Sequence, residues 1–221
     1  MKIEEKFSNP NTLENPMPPE RTPWLDVNLS KEAIKFLWDA INQTDSHIDA
    51  RTELAGNISK RKFMPDKDNW FYNNVVEELV ETAFYRDWAN YYTFQVAKMA
   101  PPPKFEMEKF WVNFQKQHEF NPPHFHAGDY SFVVFMKIPT HWKEQHKLPF
   151  CVGTNHPAVS DFQFLSPCPN GNVNTNNFPL SPEDEGRMLF FPARLTHQVF
   201  PFFGTEEERI TVAGNIISQT K

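Results

Sequence analysis

The sequence predicts a mainly β fold, a sandwich or barrel of short strands, preceded by N-terminal α-helices. Three observations carry that expectation. Apolar residues recur at helical spacing before residue 100 and alternate after it. The second half holds several short apolar runs punctuated by Pro, Gly and Asn rather than alternating with helical stretches. Between the two halves stands Pro101-Pro102-Pro103, which no helix crosses.

The elements follow in order. Pro10, Pro16, Pro18 and Pro19 block helix, so the start reads as irregular through Pro23. Ser30 is placed to cap a helix whose Ile34, Leu37, Trp38 and Ile41 share one face. A longer helix is expected from Asn73 to Met99, with Val76, Val80, Phe84, Trp88, Tyr92 and Val96 every four residues. Beyond the prolines, Phe110, Val112 and Phe114 alternate with Trp111, Asn113 and Gln115, a strand pattern. Further strands are expected at Tyr130–Ile138, Phe162–Leu165, Met188–Phe191, Thr196–Phe200 and Ile210–Ile217. The turn-rich stretch from Pro167 to Ser181 reads as a loop. Residues 1–104 are thus expected as an N-terminal extension with supporting helices and 105–221 as the β core, the two forming one structural unit.

Composition narrows the function. With 22 Lys+Arg against 28 Asp+Glu, the formal charge of −6 argues against a broad nucleic-acid surface. No apolar run reaches the 18 or so residues of a membrane helix, and the first residues lack a secretory apolar region. Cys151 and Cys168 read as ordinary thiols of a reducing compartment, which points to the cytoplasm. The 22 Phe and 6 Trp supply ample buriable surface for an ordered core.

Three of the eight histidines are arranged for chemistry. His124 and His126 are two apart, so an extended chain turns both imidazoles to one face, where they can reach one ion. A solvated pair at a strand edge is the plain alternative. His197 follows a turn at Gly186, an apolar strand and the break at Pro192, and Arg209 lies downstream. Two ligands from one strand end and a third near the C-terminus is how a double-stranded β-helix barrel closes a metal site. His47, His118, His141, His146 and His156 sit in polar or loop contexts and read as surface.

The stretch from His124 to Arg209 resembles the Fe(II)/2-oxoglutarate-dependent dioxygenases, in particular their prolyl-hydroxylase-like branch and the oxygenases of that type from phages and bacteria. His124-Phe-His126 with the strand Tyr130–Pro139 resembles the family's H-x-(D/H) turn. Gly186-Arg-Met-Leu-Phe-Phe-Pro192 followed by His197 resembles its late strand pair. Arg209-Ile-Thr211-Val-Ala-Gly-Asn215 resembles its closing R-x-(S/T) strand.

The resemblance implies a double-stranded β-helix and a hydroxylase using Fe(II), 2-oxoglutarate and dioxygen. It implies His124, His126 and His197 as metal ligands. Arg209 would anchor the distal carboxylate of 2-oxoglutarate, a guanidinium matching a carboxylate with two parallel hydrogen bonds, and Thr211 would add another. Asn113, eleven residues before His124, is a candidate co-substrate contact, and Gln115 a weaker one. The substrate would be an amino acid, a peptidyl (prolyl-type) group or another small molecule, with no nucleic-acid or membrane partner; the oligomeric state is left open.

One departure matters. Most of the superfamily carries a carboxylate where this chain has His126, so the site is one charge more positive. Asp129 is the alternative third ligand, although its parity along an extended chain is wrong. The rival readings are a metal cupin of another class, which wants a Glu where Tyr130 stands, and a non-catalytic metal barrel.

Overall fold

The computed structural model describes residues 22–43 and 48–219. Among these residues ten strands form two antiparallel sheets. The larger has the order β1-β8-β5-β10-β3-β2, with β1 (Leu25–Asn28), β8 (Arg187–Pro192), β5 (Tyr130–Lys137), β10 (Arg209–Ser218), β3 (Phe105–Gln115) and β2 (Lys60–Phe63). The smaller has the order β4-β9-β6-β7, with β4 (Asn121–His124), β9 (Thr196–Val199), β6 (Phe162–Pro167) and β7 (Val173–Phe178).

Strand alternation sorts the side chains into two cores. Phe132, Val134 and Met136 of β5, Met188 and Phe190 of β8, and Val212 of β10 face the helices. Their neighbours Val133 and Phe135, with Leu189 and Phe191, face the smaller sheet and pack on Phe162, Phe164 and Phe178. On β3, Phe110 and Val112 join the helix-side core, which turns Trp111, Asn113 and Gln115 toward a cavity between the sheets.

Helix α1 (Lys31–Asn42) begins at Ser30, whose side chain accepts the Ala33 N–H at 3.2 Å. Ala33, Leu37 and Ile41 are buried, while Ile34 and Trp38 pack at the margin. The second helical region departs from the single long helix expected. A π-helical turn at Tyr72–Val76 leads into α2 (Glu77–Arg86), which stops at Asp87 with ψ 123°. The chain restarts as α3 (Trp88–Asn90), capped by Asp87, whose Oδ1 accepts the Asn90 N–H at 3.0 Å. A second π segment, Tyr91–Val96, closes with the Ala97 N–H on the Tyr92 carbonyl at 2.7 Å. The sequence period explains this. A repeat of four overruns the α-helical turn by about 40° per step, and wider i→i+5 turns absorb the excess.

Two further differences concern strands. β1 and β2 lie in the half expected to be irregular or helical, and they pair with β8 and β3 respectively. β7 lies inside the segment read as a loop; its Val-Asn-Thr-Asn-Asn-Phe has no apolar alternation, and pairing with β6 makes it a strand. Among the described residues no helix is long and apolar enough to cross a membrane.

Candidate active site

β4 and β9 are antiparallel neighbours, and their register sets His124 directly opposite His197. His126 lies just beyond β4, in a turn that returns to β5. Its N–H donates to the Ala193 carbonyl at 2.8 Å, and the Ala193 N–H donates to the Asp129 carbonyl at 2.9 Å, lacing this turn to the β8–β9 connection. Gly128 supplies the left-handed step, φ 98°, and a Cβ there would meet the Ile216 carbonyl oxygen at 2.8 Å. The chain therefore delivers three imidazoles to one point. Their ligand nitrogens all lie within 4.8 Å of one another.

The donor set fits a metal ion. The Nδ1 atoms of His124 and His197 lie 2.8 and 2.9 Å from the carbonyls of Pro122 and Leu195. A carbonyl only accepts, so each Nδ1 carries the proton and each Nε2 keeps its lone pair. Nε2 of His126 and Nε2 of His197 are 3.2 Å apart. Two nitrogens each about 2 Å from one ion stand about 3 Å apart at right angles, so the pair is spaced as shared ligands. Burial lowers the basicity of all three rings, with neighbouring imidazoles at His126 and His197 and the Arg61 charge at His124 and His126 adding to it; His126 falls to about 4. All three are neutral at physiological pH, the form that binds metal.

Asp129 does not join this group. Its carboxylate accepts the Ser218 N–H at 2.6 Å, and it lines a separate cleft with Tyr130 and Phe105. His118 stacks edge-on against Phe203 and His146 pairs with Asp161 at 3.2 Å, both apart from the triad. His47 lies outside the described residues.

Arg209 opens β10 and is 1 % exposed. Its Nη2 donates to the Ser160 carbonyl at 2.9 Å and to the Ser160 hydroxyl at 2.5 Å, while Nε and Nη1 have no partner. Burial lowers its pKa to about 10, with Asp161 opposing, so it stays charged. Ser160 is fully buried at φ 74°, a left-handed conformation that a non-glycine residue holds at a cost. That conformation turns both of its oxygens onto the guanidinium. The fit to an anion is in these donors: a buried cation presents three unused N–H groups to the cavity that the triad lines.

Thr211 and Asn113 are register partners on β10 and β3, and the Asn113 amide donates to the Thr211 hydroxyl at 3.1 Å. The Thr211 proton is thus free to donate elsewhere, and Asn113 Oδ1 is buried without a partner. Gln115 also lines the cavity, but its amide donates to the Glu119 carbonyl at 2.6 Å. The sequence reading missed Arg61 and Ser160. Arg61 sits in Lys60-Arg-Lys62, which reads as a solvated run, yet it is 2 % exposed and lines the same cavity.

Comparison with known proteins agrees with this geometry. Residues 109–215 match the family described as "Putative 2OG-Fe(II) oxygenase". No curated protein matches. Among solved structures, the fold is similar to a Pseudomonas putida prolyl-4-hydroxylase, at TM-score 0.50 and 12 % identity, covering 90 % of this chain and 94 % of that one. It is also similar to SnoN, a non-heme alpha ketoglutarate dependent epimerase from nogalamycin biosynthesis, at TM-score 0.51 and 11 % identity, covering 88 % and 78 %. The β architecture is accordingly that of the double-stranded β-helix oxygenases.

Proposed function

We propose that residues 109–215, which match the 2OG-Fe(II) oxygenase family, form the core of a 2-oxoglutarate-dependent dioxygenase that uses Fe(II), 2-oxoglutarate and dioxygen, and that the chain hydroxylates an amino-acid, peptidyl or other small-molecule substrate with release of succinate and CO2. The observation that carries this reading is the convergence of three neutral imidazoles and a buried, part-unpartnered guanidinium on one cavity.

In this reading His124, His126 and His197 hold Fe(II), which when bound supplies the oxidising chemistry through its remaining positions. The two Nδ1–H bonds to Pro122 and Leu195 fix ring orientation before metal arrives. Arg209 receives the distal carboxylate of 2-oxoglutarate, and the Thr211 hydroxyl donates to the same group. Ser160 holds the guanidinium still, so little ordering is left for binding. Asn113 keeps Thr211 in place through its amide and offers Oδ1 to the cavity. Phe135, Phe162 and Phe191 wall the cavity and keep water from the reacting centre. The free thiols Cys151 and Cys168 support a reducing, cytoplasmic setting.

The test is direct. Protein purified without oxygen and given Fe(II) should develop the weak visible charge-transfer band of a chelated 2-oxoglutarate, and admitting oxygen should yield succinate. Absence of both from a protein that retains iron would remove the assignment.

A further inference from the structure

Arg61 is a buried cation that the Glu119 carboxylate offsets only through space, with no hydrogen bond between them. Its Nη1 donates to the carbonyls of Leu54 and Ala55, and Nη2 donates to Asn121 Oδ1 at 2.5 Å. An arginine has five N–H donors. Both on Nη1 and one on Nη2 are used, which leaves Nε–H and the second Nη2–H. Nε is buried without a partner. In a planar guanidinium the Nε and Nη2 hydrogens lie along one edge, the edge a carboxylate grips with both oxygens. Among the described residues Arg61 makes no ion pair; its three acceptors are neutral.

Its position relates it to the proposed site. Arg61 is the register partner of Asn113, which is in turn the partner of Thr211, so the three form one row across β2, β3 and β10. Neighbouring strands are about 4.8 Å apart, so the row sets Arg61 about 10 Å of backbone from Thr211. All three line the cavity with the histidines. Arg209 lies on β10 two residues before Thr211, with the Asp161 charge acting on it. The buried Nε–H of Arg61 has no acceptor, and a buried donor left without one is costly unless a ligand completes it.

We infer that Arg61 anchors a carboxylate of the primary substrate through its Nε–Nη2 edge, so that the molecule oxygenated here is a carboxylate bearer. The inference rests on the oxygenase reading above and narrows it. The carboxylate belongs to a free amino acid or related small acid, or to the C-terminus of a short peptide; the chemistry at Arg61 is the same.

The experiment uses the whole chain loaded with Mn(II), which avoids turnover, and saturated with 2-oxoglutarate. Thermal melting is followed while free L-amino acids, simple monocarboxylic acids and tripeptides are added, each beside its own primary amide. Acids should raise the melting temperature, with their amides about tenfold weaker or more, as loss of one charged contact requires. Peptides that act only with a free C-terminus identify the peptide source, and free acids the small-molecule source. In Arg61→Gln the acid preference should fall below about threefold, while the 2-oxoglutarate midpoint of the charge-transfer band, read separately on anaerobic Fe(II)-loaded protein, stays within about threefold of wild type. Arg61→Lys should keep part of the preference. Wild-type protein that shows no difference between acids and amides overturns the inference without any variant, and so does an Arg61→Gln protein that retains the preference. Failure of the wild-type charge-transfer band to form would instead count against the oxygenase reading itself.

Discussion

Truncating Arg209 to alanine removes a buried cation whose Nε and Nη1 point unpaired into the cavity and whose Nη2 is pinned by Ser160. If those open donors receive the distal carboxylate of 2-oxoglutarate, the variant loses a charge-assisted contact in a site shielded from water. Such a loss is worth on the order of 2–4 kcal/mol. At 1.4 kcal/mol per factor of ten, the 2-oxoglutarate concentration for half-saturation should rise by roughly 30- to 1000-fold. Iron stoichiometry should not change, because the triad is built from β4, β9 and the turn after β4. Arg209→Lys should fall between, since it keeps the charge and loses the rigid planar donors. The variant also leaves the Ser160 oxygens without their donor and removes the Arg209–Phe202 contact at 5.0 Å, so melting is recorded in parallel. The assay is an anaerobic titration of the charge-transfer band against 2-oxoglutarate for the three proteins. Equal midpoints in folded protein would show that the co-substrate's cation is elsewhere.

Other outcomes follow from the same geometry. His197→Ala should abolish stoichiometric iron, whereas Asp129→Asn should retain it, because that carboxylate caps Ser218; metal analysis of both proteins checks the ligand set. Burial holds the Asp161 carboxyl above its ordinary range, against the opposing pull of His146 and Arg209. A folded-state pKa raised above the unfolded value contributes stability below the unfolded pKa and loses it as pH rises through the folded one. The stability difference between Asp161→Asn and wild type should therefore shift toward the variant as pH rises from below 3.8, read by urea melts at several pH values. Gly214→Ala should cost about 1–3 kcal/mol, since its Cβ would meet the Phe132 ring at 2.6 Å and the Lys109 carbonyl at 2.9 Å. A lowering of the melting temperature by several degrees, about 2–4 °C per kcal/mol, is the expected reading.

The strands with strong alternation were legible because period two has one physical cause, a sheet with two different faces. β5, β8 and β10 fall within a residue or two of the expected bounds, and Phe110-Trp-Val-Asn-Phe-Gln115 already separates helix side from cavity side. The Ser30 cap was legible for the same reason, as a local hydrogen bond needs only local sequence. What could not be read was set by partners far along the chain. Lys60-Arg-Lys-Phe63 has no strand signature, and pairing with β3 makes it one; the same pairing buries Arg61. Ser160 precedes Asp161 in an unremarkable turn, and its left-handed backbone becomes meaningful only beside Arg209. His124, His126 and the late His197 were legible as a candidate group, but the β4–β9 register that sets His197 opposite His124 was not.

The position of β1 and β2 also bears on how this protein behaves when shortened. They occupy the two outer positions of the larger sheet, against β8 and β3. A chain trimmed to the matched residues 109–215 would lack both. It would bare the backbone of Arg187-Met-Leu-Phe190 on one side and of Trp111-Val-Asn-Phe114 on the other. Exposed apolar edges of this kind recruit strands from other molecules. Self-association of such a fragment would therefore report exposed edges and say nothing of the oligomeric state of the whole chain. In this fold the N-terminal strands act as the sheet's selvage, finishing two borders that the remaining strands cannot close by themselves.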